Sequence, residues 1–264
     1  MLGGLAMFDI LNHNPEINPL AKEVSLQGSK SDLVVLIHGY TGCPREMKNM
    51  GELIYDRFNF SVLIPRLPGH GTNSKDFRTT GRKDWLRKVY DIIINNENEY
   101  ENIHLIGLSM GSLISMLSSI HFDIKSLFLI SPALYPENKN IIFTHLLKYF
   151  KPVISTNYQI EDDIENPNLI DLLKNYSCND YTKQLAELHK LMLETPKILK
   201  DIKSDLKIVH SKKDKLVPLK SAHKIYNNIS SKNKKITILE NSPHVINYGP
   251  EKDKLFNELI KFYK

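Results

Sequence analysis

The chain has 264 residues, of which 41% are hydrophobic and 25% charged, and its 35 basic and 30 acidic side chains give a formal charge of +5. That length suits one α/β unit burying about three quarters of its unfolded surface, and the composition excludes a disordered or fibrous chain. The lysines are scattered, with short clusters at 212–213 and 232–235; these read as solvated faces, not as a nucleic-acid stripe.

Residues 1–10 lack a basic start and a long apolar core, and Asp9 interrupts them, so no signal peptide is expected. No run approaches the ~20 apolar residues of a membrane span. Cys43 and Cys178 stand far apart and are read as reduced thiols, neither a disulfide framework nor a metal site. Together these readings place the protein in the cytoplasm, with no stable membrane insertion.

The pattern before residue 31 is weak and holds at most one or two edge strands. Residues 33–37 (LVVLI) form the first strong strand, and His38-Gly39-Tyr40-Thr41-Gly42 follows it directly. A helix is expected over 44–57, a strand over 61–64, and a helix over 82–98. His38, and His70 in Pro68-Gly69-His70-Gly71, sit at strand ends. Both are read as loop-bracing residues, not as a catalytic base.

The next strand, 103–106, runs into Gly107-Leu108-Ser109-Met110-Gly111 and then a helix over 111–120. Strand, G-x-S-x-G and helix in this order make a nucleophile elbow. The chain must turn sharply there, and a side chain at Gly107 or Gly111 would collide with the turn or the neighbouring strand. Ser109 is thereby pushed to the top of the sheet, at a helix N-terminus whose free N–H groups favour developing negative charge. The expected oxyanion donors are the backbone N–H groups of Met110, after the serine, and Tyr40, in the loop after the first strong strand.

A strand over 127–130 follows, and then the rhythm breaks. From about 135 to 200 the sequence shows no clear strand, only helical pieces at 141–150, 167–175 and 181–193. Ligands of such sheets bind beyond the carboxyl ends of the strands, so a helical insertion leaving the strand near 130 is expected to cover that edge as a lid. The expected division is a core of 1–134 and 201–264 and a cap of 135–200. The 141–150 piece is apolar on more than one side. It could line an acyl pocket, pack on the core, or make transient contact with lipid aggregates.

The last third restores the alternation, with strands at 206–209 and 236–239 and helices at 221–229 and 251–263. Asp214 falls in the loop after the first of these strands, just before Val217-Pro218, and His244 in the loop after the last. Asp201 and Asp205 precede their strand and would face the wrong end of the sheet. Ser109, Asp214 and His244 therefore make a nucleophile, acid and base in the chain order this architecture requires. Buried aliphatic strands alternating with helices predict a mostly parallel, doubly wound sheet with a small helical cap inserted late in the chain.

In order, HGYTG (38–42), PRLPGHGT (65–72), DW (84–85), GLSMG (107–111), Asp214 with Val217-Pro218, and SPHVI (242–246) resemble the bacterial carboxylesterase and monoacylglycerol lipase branch of the α/β-hydrolases. The resemblance covers most of the chain from residue 33 onward. It implies a serine esterase acting on a small-molecule ester, with a preference for short to medium acyl chains or monoacylglycerols. It carries catalytic roles onto Ser109, Asp214 and His244 and oxyanion roles onto Tyr40 and Met110, and implies no cofactor or metal. A lysophospholipase or an acyltransferase on the same fold is the alternative. A non-catalytic binding protein of this fold usually lacks a triad member, and none is missing. Two features depart from the pattern: Ser112 stands where many relatives place a third glycine, and 135–200 shows no family motif.

Overall fold

The structure, a computed structural model, describes residues 16–155, 167–172 and 176–264. The reading of residues 1–10, and positions 173–175 of the expected cap helix, lie outside the described residues. The strands in chain order are β1 (Val24–Leu26), β2 (Ser29–Ile37), β3 (Phe60–Ile64), β4 (Asn102–Leu108), β5 (Ser126–Ile130), β6 (Val153–Ser155), β7 (Asn179–Tyr181), β8 (Asp205–Ser211) and β9 (Lys234–Leu239). The helices are α1 (Arg45–Phe58), α2 (Ser74–Thr79), α3 (Arg82–Asn96), α4 (Met110–Ser118), α5 (Thr144–Leu147), α6 (Pro167–Leu172), α7 (Thr182–Ile198), α8 (Lys220–Asn228) and α9 (Lys252–Tyr263).

Among the described residues one seven-stranded sheet runs in the order β1-β3-β2-β4-β5-β8-β9. Every pairing in it is parallel except that of the edge strand β1 with β3. The expected α/β-hydrolase architecture is what the chain adopts. The 33–37 run of strand β2 shows why it is so uniformly aliphatic. Leu33, Val35 and Ile37 enter one hydrophobic cluster, whereas Val34 and Leu36 enter the other. Successive side chains of a strand point to opposite faces, so a strand covered on both faces must be apolar at every position. On one face α1 and α9 supply Met47, Met50, Ile54, Leu255 and Leu259. On the other, α3, α4, α7 and α8 supply Trp85, Val89, Leu113, Leu191 and Ile225. Each such burial contributes about 1.5–3 kcal/mol.

Two differences from the expectation have local causes. Strand β2 begins at Ser29, four residues before the aliphatic run, and its register against β3 shifts between Ser29 and Leu33. The polar start, Ser29 to Asp32, carries no apolar signal, but it still pairs. The short helix α2 was not foreseen, although Asn73 caps it by accepting the N–H groups of Lys75 and Asp76 at 3.0 and 3.1 Å.

The 135–200 stretch is a correction in part. It does hold strands: β6 and β7 pair antiparallel, Val153 with Tyr181 and Ser155 with Asn179. Three-residue strands are too short for a period of two to show. The piece expected at 141–150 is a 3-10 turn over Lys139–Phe143 followed by the single turn of α5. Helix α7 runs five residues beyond the expected 193, carrying Pro196 near its end. It packs on α3 and α4, and its Leu188, Leu191 and Met192 join the core cluster. Arg82 of α3 also pairs with Glu187 of α7 at 2.5 Å.

Candidate active site

The site grows from the carboxyl ends of β4, β5, β8 and β9. At the end of β4, Ser109 has φ 54° and ψ −110°, a backbone strain that a non-glycine residue adopts only when its surroundings impose it. The cause is crowding on both sides. A Cβ on Gly107 would lie 2.4 Å from the carbonyl carbon of Gly111, and one on Gly111 would lie 2.1 Å from the Ile37 carbonyl oxygen. Ser112, the departure from the family pattern, fits because its hydroxyl donates back to the Gly107 carbonyl at 2.7 Å. Gly107 and Gly111 thus let strand, turn and helix touch, and Ser109 is left at the apex.

The three side chains expected to meet do meet. His244 Nε2 lies 2.8 Å from Ser109 Oγ, and His244 Nδ1 lies 2.7 Å from Asp214 Oδ2. Asp214 is fixed on its other oxygen, where Oδ1 accepts the N–H groups of Leu216 and Val217, both at 2.9 Å. Burial alone would raise the Asp214 carboxyl. The hydrogen bond and charge of His244, with the two N–H groups, override it and hold Asp214 below its usual 3.8. Asp205 opens β8 at the opposite end of that strand, as expected.

Several supporting residues carried no sequence signal. Ser131, at φ 44° just past β5, donates its hydroxyl to the His244 carbonyl at 2.8 Å. His210 is buried beside the acid, with Nε2 3.1 Å from the Val217 carbonyl and 3.6 Å from Asp214 Oδ2. Burial, despite the nearby Asp214 charge, lowers the affinity of His210 for a proton. Glu251 braces the approach to His244 by accepting the Asn241 N–H at 2.8 Å and the Ser242 hydroxyl at 3.0 Å.

Glu251 yields a pH prediction. The Asn241 N–H, joined by Lys254, Ser242 and the Glu240 N–H, outweighs desolvation and holds its carboxyl at about 2 instead of 4.5. The folded state then binds fewer protons than the unfolded state between those values, so stability rises with pH across that window and is lost as pH falls through it. Glu251→Gln is expected to lower the urea midpoint clearly at pH 7 and by roughly half as much or less at pH 3. An equal loss at both values would count against this role.

The loop 38–42 lies against the nucleophile: a Cβ on Gly39 would meet Ser109 Cβ at 3.6 Å. Its Tyr40 hydroxyl donates to the Tyr181 carbonyl at 3.3 Å, and its Thr41 carbonyl accepts the Ser177 hydroxyl at 3.2 Å. Thr41 sits at φ 52°, a strained value for a β-branched residue. Met110 opens α4, where the first N–H groups of a helix have no partner within it. His38 and His70 are loop braces. His38 accepts the Leu67 N–H on Nε2 at 3.2 Å, and His70 Nδ1 lies 3.1 Å from the Pro68 carbonyl. Burial pushes His38 down to about 4 and His70 well below 6.5.

Ser109 and His244 open into a pocket of about 840 Å³. Much of its wall comes from 135–200, with Ile141, Phe143, Leu146, Leu147, Leu185, Leu188 and Met192 on the apolar side. Ser177, Asn179 and Asp180 give it a polar stretch.

A family model, Hydrolase_4 (serine aminopeptidase, S33), matches residues 28–251. The chain belongs to this family. The S33 hydrolase is 30% identical over 234 residues to a thermostable monoacylglycerol lipase of Bacillus sp. (strain H-257), covering 87% of this chain and 89% of the relative. It is 24% identical over 241 residues to a carboxylesterase of Bacillus subtilis (strain 168), covering 87% and 91%. Among solved structures, one described under the metagenome-derived lipolytic enzymes LipS and LipT superposes with a TM-score of 0.82 at 22% identity, over 94% of this chain and 98% of the other. The monoacylglycerol lipase of Paleococcus ferrophilus gives 0.72 at 19% identity, over 91% and 98%. These two show the shared fold. Family and sequence relatives together put this S33 member among the carboxylester hydrolases.

Among the described residues, no three His, Cys, Asp or Glu side chains are grouped so as to hold a metal ion, and no helix is long and apolar enough to cross a membrane. Neither Cys43 nor Cys178 is joined in a disulfide.

Proposed function

We propose that this hydrolase cleaves esters of short to medium acyl chains, monoacylglycerols among them, through an acyl-enzyme on Ser109. The observation that carries the reading is the unbroken hydrogen-bonded line from Ser109 Oγ through His244 to Asp214, opening into a largely apolar pocket. His244 Nε2 takes the Ser109 proton as Oγ attacks the ester carbonyl, and then returns it to the leaving alcohol. Asp214 keeps the Nδ1 proton in place and offsets the imidazolium charge. The N–H groups of Tyr40 and Met110 receive the oxyanion, and two such donors in a dry site supply several kcal/mol. Water then repeats the cycle on the acyl-enzyme.

The 135–200 segment acts in this reading as a cap over a core of 1–134 and 201–264. Its apolar wall receives the acyl chain, while Ser177, Asn179 and Asp180 face the alcohol. Its outer surface exposes Ile142, Phe143, Leu146, Tyr149 and Phe150, the last at 78%. Such a patch beside the pocket suits transient contact with lipid aggregates. Two cysteines outside any disulfide fit a cytoplasmic enzyme.

The test joins labelling to a substrate panel. An organophosphonate is expected to modify one serine, Ser109, and to abolish turnover. Across p-nitrophenyl esters from acetate to palmitate, kcat/KM is expected to peak at short to medium chains, with monoacylglycerol also cleaved. A label on another serine overturns the mechanism, and a peak at palmitate overturns the substrate range.

A further inference from the structure

Glu46, in the first turn of α1, takes no part in the steps above. Its carboxyl lies directly under the 38–42 loop. Oε2 is 3.4 Å from the Gly39 nitrogen, which donates to it. A Cβ on Gly42 would come within 2.2 Å of the same oxygen, so the carboxyl fills the space that the absent side chain leaves. A Cβ on Gly39 would touch Ser109 Cβ at 3.6 Å on one side and Glu46 Oε2 at 3.9 Å on the other. The carboxyl and the nucleophile therefore flank one backbone position, and the residue next to it, Tyr40, carries an oxyanion donor of the proposed mechanism.

We propose that Glu46 is a positioning residue of the oxyanion loop and that it serves in its neutral form. As a neutral group it props Gly39 and Gly42 and so aims the Tyr40 N–H. Once ionised, it sets a fixed negative charge behind the place where the tetrahedral intermediate develops its own. In a site shielded from water the two charges repel, and the transition state is raised more than the ground state. The inference rests on the acyl-enzyme reading.

The surroundings single out this group. Facing it are Arg45 on its own helix, Cys43 in the loop, Tyr176 from the 135–200 segment and Tyr248 from the loop after β9. Arg45 brings the one opposing charge among these, and its guanidinium is stacked over the Tyr248 ring at 5.2 Å. Desolvation outweighs the Gly39 N–H and Arg45 and pushes the Glu46 carboxyl up to about 7. Burial lifts Cys43 and Tyr248 to about 12 and Tyr176 well above 10, so these neighbours stay neutral where Glu46 ionises.

The experiment compares kcat between pH 6.5 and 9 for wild type, Glu46→Gln and Glu46→Ala, with the organophosphonate label mapped in each. In wild type kcat is expected to fall about tenfold across that range with KM nearly constant. The glutamine variant keeps the shape and an acceptor for the Gly39 N–H but cannot ionise, so its decline is expected to vanish. The alanine variant, which also removes the prop, is expected to lose kcat about tenfold or more at every pH with no such decline, and it carries the test if glutamine does not fold. Wild-type and variant profiles that superimpose overturn the role of Glu46. A label away from Ser109 overturns the acyl-enzyme reading instead, so the two failures are told apart.

Discussion

Ser109→Ala is expected to lower kcat toward p-nitrophenyl butyrate by about four to six orders of magnitude while leaving the fold intact. Two serines that border the site have their hydroxyls engaged elsewhere. Ser131 Oγ is committed to the His244 carbonyl at 2.8 Å, and Ser177 Oγ to the Thr41 carbonyl at 3.2 Å. Truncation removes one hydroxyl from a position that is 9% exposed and leaves the backbone bond from the Ser109 N–H to the Ile130 carbonyl, at 2.8 Å, untouched. The cost in stability is therefore within about 0.5 kcal/mol, the range of a substitution that opens no cavity and strands no charge. Steady-state kinetics beside a urea titration check both halves. Turnover within tenfold of wild type would move the nucleophile elsewhere, and a large loss of stability would mean that the hydroxyl also holds the elbow together.

What the sequence made legible follows from where the physics is local. The buried strands announced themselves because the middle runs of β2, β4, β5 and β8 are covered on both faces and are mostly aliphatic. Ser109 was visible because the steric demand on Gly107 and Gly111 falls within five consecutive residues. Asp214 and His244 were placed by chain order, each in the loop beyond a strand, and the structure brings His244 to Ser109 and Asp214 to His244. What stayed hidden depends on contacts between distant segments. Ser131 fixes His244 through its backbone carbonyl 113 residues away, and a serine doing this looks like any other. Glu46 stands only seven residues after Gly39, but its residue type does not say that the first turn of α1 tucks the carboxyl under the 38–42 loop. Glu251 stands at the start of the last helix, but nothing in its residue type points to Asn241 and Ser242, the partners it holds in the preceding loop. The 135–200 segment was the least legible. Its strands are three residues long, and its first helical piece breaks into a 3-10 turn and one turn of α-helix.

Asp214→Asn is the sharper probe of the mechanism, because the geometry dictates what the amide must do. Carboxylate Oδ1 accepts two backbone N–H groups, from Leu216 and Val217, and Oδ2 accepts from His244 Nδ1. In the asparagine variant the amide oxygen must take the place of Oδ1, since an NH₂ there would face two donors. The NH₂ is thereby turned toward His244. It can donate only to an unprotonated Nδ1, which forces the imidazole into the tautomer with its proton on Nε2. That proton then points at Ser109 Oγ, 2.8 Å away, and the base can no longer accept. Loss of the carboxylate also leaves the imidazolium of the transition state without its counter-charge. The expected result is a fall in kcat of about three to four orders of magnitude with KM changed only a few-fold. Asp214→Ala, which imposes no tautomer but leaves the Leu216 and Val217 N–H groups unpaired, is expected to lose comparable activity and more stability. An asparagine variant that keeps a tenth or more of wild-type kcat would mean that Asp214 shapes its loop without orienting the base.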